Sequence, residues 1–81
     1  MGNHASKEFT PLRIAVLTIS DTRNDQTDTS GKYLVEALQD AGHRYEDKII
    51  VKDDIYQIRA IASAWIASDD VDVILLTGGT G

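Results

Sequence analysis

Val71-Asp72-Val73-Ile74-Leu75-Leu76-Thr77-Gly78-Gly79-Thr80-Gly81 joins two kinds of sequence whose combination points to an α/β protein. Its β-branched and leucine-rich half reads as a buried strand, and its second half is a glycine-rich turn. In an open α/β sheet, a strand that empties into such a turn offers bare backbone N–H groups to an anion at the carboxyl edge. Loops of this kind normally run on into a helix whose N-terminus completes the anion site. We therefore expect residues 12–81 to form the first half of a larger domain, with the 71–77 strand pairing on its outer side with a further segment.

Moving upstream, Asp54 is a natural cap for a helix carrying Ile55, Ile58, Ala62, Trp65 and Ile66 on its apolar stripe. Before it, residues 45–51 read as a strand whose Ile49-Ile50-Val51 end is buried, while Glu46, Asp47 and Lys48 interrupt its apolar character. An earlier helix carries Leu34, Val35, Leu38 and Ala41 on one face, opens at Asp28 or Thr29, and stops at a left-handed Gly42. The run Ile14-Ala15-Val16-Leu17-Thr18-Ile19-Ser20 is nearly all apolar, as in a parallel strand covered on both faces. Residues 1–11 are polar, lack periodicity and end at Pro11, which predicts a flexible tail. The order is βαβαβ, and the expected fold is a three-layer αβα arrangement around a mainly parallel sheet.

Composition narrows the function. The chain has 81 residues, of which 42% are hydrophobic and 26% charged, matching a globular domain with a thin core. Thirteen acidic residues against eight basic ones leave a net charge of −5, which argues against nucleic acid or anionic membrane as partners. The absence of cysteine removes thiolate metal sites and cysteine nucleophiles. No segment has signal-peptide character or the length of a membrane span, so a cytoplasmic protein is expected.

Ligands of open α/β sheets bind outside the carboxyl ends of the strands, so the loops at 20–30, 52–54 and 77–81 should converge. Glycines there expose N–H donors, carboxylates suit a magnesium ion or its waters, and hydroxyls can meet a polar ring. On residue type alone each loop has a plain reading beside the functional one. Residues 77–81 form a tight turn, Asp53 and Asp54 act as helix caps, and Asp21 is a solvated turn residue.

Taken in order, Asp21, Asp28-Thr29-Ser30-Gly31, Val51-Lys52-Asp53-Asp54 and Thr77-Gly78-Gly79-Thr80-Gly81 resemble the molybdopterin-binding domain of molybdenum cofactor biosynthesis proteins. Residues 50–59 and 63–70 are most similar to its bacterial protein B branch, and Lys52 stands where adenylylating relatives often have proline. The resemblance implies an adenylyltransferase that joins molybdopterin to the adenylyl group of magnesium-bound ATP and releases pyrophosphate. It implies that Asp53 holds Mg2+ and is catalytic. Asp21, Asp28, Ser30, Gly31, Thr77, Gly78, Gly79, Thr80 and Gly81 would then contact the pterin and phosphate groups. It further implies a second catalytic aspartate after the glycine loop, beyond residue 81, and a homotrimer or hexamer. The alternative within the same fold is a noncatalytic pterin-binding or scaffold protein.

Other constellations fit less well. Thr77-Gly78 occupies the place where a phospho-acceptor receiver needs its aspartate, and no Gly-Lys-Ser/Thr of a nucleotide P-loop is present. Tyr33, Tyr56 and Trp65 lie on helices and suit core or subunit packing rather than stacking on a pterin. His4 and His43 are expected to face solvent.

Overall fold

The computed structural model describes residues 9–24 and 26–78. Its elements run β1 (Arg13–Ile19), α1 (Thr29–Asp40), β2 (Arg44–Val51), α2 (Ile55–Ala67) and β3 (Val73–Gly78). The three strands are parallel in the order β2-β1-β3. In this order the first crossover moves to one side of β1 and the second moves back across it. The right-handed rule then requires the two helices to lie on opposite faces, and the packing shows that they do. Leu34, Val35 and Leu38 of α1 pack with Ile14 and Val16, whereas Ile58, Ile61 and Trp65 of α2 pack with Ala15, Leu17 and Val51. The three-layer αβα architecture follows from that division.

β1 is central, and its residues Ile14 to Thr18 are all buried because helices cover both faces and a strand flanks each edge. β3 has no buried residue despite its apolar sequence. It is an edge among the described residues, and Leu76 is 55% exposed. The turn after α1 has the expected left-handed glycine, with Gly42 at φ 92.

The helices differ from expectation in two details. On α2, Ile55 and Ile66 are exposed, and the stripe facing the sheet is Ile58, Ile61 and Trp65. This helix is apolar around most of its circumference, so periodicity alone does not fix which stripe turns inward. On α1, Ala41 is an exposed C-cap rather than a core residue. Of the three aromatic residues assigned to packing, Trp65 is buried, whereas Tyr33 and Tyr56 are exposed on this chain.

The amino edge of the sheet is fastened by polar contacts. Arg13 forms a two-pronged ion pair with Asp72, with Nη2 2.9 Å from Oδ1 and Nε 3.1 Å from Oδ2, and its backbone N–H also donates to Oδ2. These hydrogen bonds pull the Asp72 pKa down to about 2. A depressed carboxylate contributes stability above its unfolded pKa and loses it as pH falls through the folded value. Asp72→Asn should therefore lower the urea midpoint at neutral pH, and the difference from wild type should shrink between about pH 4 and pH 2. A difference that persists unchanged at pH 2 would contradict this assignment. Nearby, His43 is half-buried rather than solvent-facing: its Nδ1 accepts the Leu12 N–H at 3.0 Å and its ring lies against Phe9.

Candidate functional site

The carboxyl ends of all three strands open on one cavity of about 600 Å³. Its wall includes Thr18 and Ile19 at the end of β1, Ser20 to Arg23 after it, Asp28 and Ser30 at the start of α1, Asp53 after β2, and Thr77 and Gly78 at the end of β3. Strand register explains the convergence, since Thr18 pairs with Thr77 and Ile19 with Gly78. The cavity sits between β1 and β3, where the crossovers reverse direction, which is the usual ligand position in such sheets.

The loop after β1 is built by its own side chains. Ser20 Oγ accepts the N–H groups of Thr22 and Arg23, and Asn24 Oδ1 accepts those of Gln26 and Thr27. These turns bring the chain to Asp28, which caps α1 by accepting the Gly31 N–H at 2.9 Å. The Asp28 carboxylate is fully buried, and its Oδ2 also accepts the Thr18 hydroxyl at 2.7 Å and lies 2.9 Å from Lys48 Nζ. Burial works against its charge, yet Lys48, Thr18 and the Gly31 N–H together hold its pKa below the ordinary carboxylate value. Asp28 is thus part of the cavity wall while its carboxylate is engaged by three protein donors. Gly31 completes the network by having no side chain. A Cβ there would collide with Asp28 Oδ2 and approach the Lys48 stem and the Thr18 hydroxyl.

Asp21 and Asp53 have a different character. Both are exposed, and Asp21 Oδ1 accepts the Asp53 backbone N–H at 3.1 Å, tying the loop after β1 to the loop after β2. The cap of α2 is Asp54, which accepts the Tyr56 N–H at 2.8 Å, so the Asp53 side chain is not needed for capping. Among the described residues no group of three or more His, Cys, Asp and Glu side chains is placed to hold a metal ion. Magnesium demands less of a protein. It is usually held by one or two carboxylates together with waters and substrate phosphates, and Asp53 with Asp21 beside it matches that donor set.

At the end of β3, Gly78 has φ 97 and its Cβ position is blocked by the Ile19 carbonyl oxygen. Gly78→Ala should cost about 1–3 kcal/mol through the left-handed backbone and that clash, read as a lowered urea midpoint. A variant as stable as wild type would show that the turn relaxes freely. Thr77 and Gly78 reach the cavity, while Gly79, Thr80 and Gly81 lie outside the described residues. Sequence reasoning missed Thr18 and Lys48, which looked like an interior strand residue and an interruption of β2. The available signal was period-two alternation, which puts both on the face covered by α1.

Comparison with known proteins agrees with this fold. A family described as "Probable molybdopterin binding domain" matches residues 15–81. The chain is 58% identical over 79 residues to molybdenum cofactor biosynthesis protein B of Escherichia coli K12, covering 98% of this chain and 46% of that protein. It is 44% identical over 78 residues to the protein B of Bacillus cereus, covering 96% of this chain and 46% of that one. A crystal structure of a molybdenum cofactor biosynthesis protein B superposes with a TM-score of 0.86 at 44% identity, covering 93% of this chain and 47% of the other. The chain therefore spans about half the length of the relatives it matches. With the family match running from β1 to the glycine loop, the chain belongs to the molybdopterin-binding domain family.

Proposed function

We propose that this chain supplies one wall of a molybdopterin site used in molybdenum cofactor biosynthesis, and that the natural polypeptide adenylylates molybdopterin with Mg-ATP. The observation that carries the reading is the cavity at the carboxyl edge that all three strand ends share. There, glycine and hydroxyl residues of β3 and α1 face exposed carboxylates from the loops after β1 and β2. In the reaction, a terminal phosphate oxygen of molybdopterin attacks the α-phosphorus of ATP. The new P–O bond gives adenylyl-molybdopterin, and the bond to the β-phosphate breaks to release pyrophosphate.

The residues divide that work by position. Backbone near Gly78 and the Ser30 hydroxyl are suited to orient the phosphate and pterin, and Asp53, supported by Asp21, is suited to hold the metal. Magnesium would neutralise charge on the transferring phosphoryl group. Orientation and charge neutralisation supply most of the rate enhancement in phosphoryl transfer, so no covalent protein intermediate is required. A homotrimer or hexamer in the cytoplasm belongs to the same reading. No helix among the described residues is long and apolar enough to cross a membrane.

The alternative is a protein that binds the pterin without transferring to it, and the position of Lys52 motivates it. Incubation of the natural polypeptide with molybdopterin and α-labelled Mg-ATP separates the two. Labelled adenylyl-molybdopterin with stoichiometric pyrophosphate supports transfer, whereas saturable pterin binding without label supports the binding protein. Absence of pterin binding would overturn both.

A further inference from the structure

We infer that Lys48 is a positioning residue of this site: through its ion pair it keeps the Asp28 carboxylate in the geometry that caps α1 and cancels its negative charge behind the cavity wall. The inference deepens the molybdopterin reading and rests on it only for the identity of the ligand. Lys48 lies on β2, register-paired with Val16, on the side of the sheet covered by α1. Its side chain is 9% exposed, and it approaches Asp28 from outside the cavity, where it lines a separate groove with Lys32, Val35, Glu36 and Tyr45. It is absent from the wall of the cavity itself, so its influence on a ligand passes through Asp28.

Two physical reasons support the role. First, replacing a buried ion pair with apolar residues is often neutral or stabilising, so the pair is poorly explained as a device for stability alone. Here it joins the end of β1 through Thr18, the first turn of α1 through Gly31, and β2. These are the elements that carry Ser30 and the loop after β1 to the cavity. Second, the cavity already faces the exposed carboxylates of Asp21 and Asp53, and a ligand carrying phosphate would be repelled by a third uncompensated charge in a low-dielectric wall. Lys48 removes that third charge without occupying ligand space.

The test uses the natural polypeptide with Lys48→Met, Asp28→Asn and the double variant Asp28→Asn/Lys48→Met. The probes are inorganic pyrophosphate and molybdopterin by titration calorimetry, with the Asp28 carboxyl followed by carbon NMR. Lys48→Met should weaken binding of both anions about tenfold or more, move the Asp28 titration upward, and speed amide exchange at Gly31. In the double variant the introduced asparagine side chain still accepts from Gly31 and can donate to Thr18, while no uncompensated charge remains, so affinity should return to within about threefold of wild type. Unchanged affinity in Lys48→Met, or an Asp28 titration that does not move, would overturn the inference. So would a folded double variant that stays as weak as the single one, since Lys48 would then serve the ligand directly. If wild type binds pyrophosphate but not molybdopterin, the molybdopterin reading fails while the comparison among variants still decides the role of Lys48. If it binds neither, the charge-cancelling role fails with it.

Discussion

Asp28→Ala is expected to destabilise the protein by about 3–5 kcal/mol, because it breaks a buried ion pair by removing the carboxylate beside the Lys48 ammonium. The same change removes the N-cap of α1 and the acceptor of the Thr18 hydroxyl. Since globular domains are stable by only about 5–15 kcal/mol, this is a large share of the total. Asp28→Asn should cost less, as asparagine is a competent cap and retains a partner for Thr18. Urea unfolding of the two variants beside wild type checks both the size and the order. An alanine variant within about 1 kcal/mol of wild type would mean that the network relaxes or hydrates at little cost.

Asp53→Asn should lower adenylylation turnover by about tenfold to a hundredfold or more, because it removes a charge suited to hold magnesium against the transferring phosphoryl group. Stability should barely change. The contribution of Asp53 to the fold is its backbone N–H, which donates to Asp21, and the helix cap belongs to Asp54. Single-turnover measurement with labelled ATP, paired with urea unfolding, separates chemistry from folding. Unchanged turnover would remove Asp53 from the mechanism, whereas lost stability would return it to a structural role.

How far the sequence foretold this arrangement varies with the kind of force involved. The alternation of apolar runs with capped amphipathic segments was enough for the βαβαβ order, because burial of β1 on both faces leaves few alternatives. The convergence of the loops at Asp21, Asp28, Ser30, Asp53, Thr77 and Gly78 followed from parallel topology, which collects every strand's carboxyl end on one edge. The inward stripe of α2 was less accessible. Ile55, Ile58, Ile61, Trp65 and Ile66 are all apolar, and only docking on the sheet selects three of them.

Long-range polar pairs were hidden for a related reason. Lys48 meets Asp28 across twenty positions of chain, and Arg13 meets Asp72 across fifty-nine. No local pattern marks either pair. Lysine in a strand ordinarily signals a solvated face, and although alternation assigns Lys48 to the face covered by α1, it does not name Asp28 as the partner. Asp28 carried a visible cap signal, but the sequence could not separate a carboxylate that greets a ligand from one spent on three protein donors.

A crystal structure of the natural polypeptide with molybdopterin and Mg-ATP would decide whether the carboxyl edge of this sheet is a molybdopterin site. The predicted result is the pterin phosphate at the end of β3, within hydrogen-bond distance of the backbone after Thr77 and of Ser30, with magnesium on Asp53. Molybdopterin bound elsewhere, with the cavity between β1 and β3 left to solvent, would contradict it.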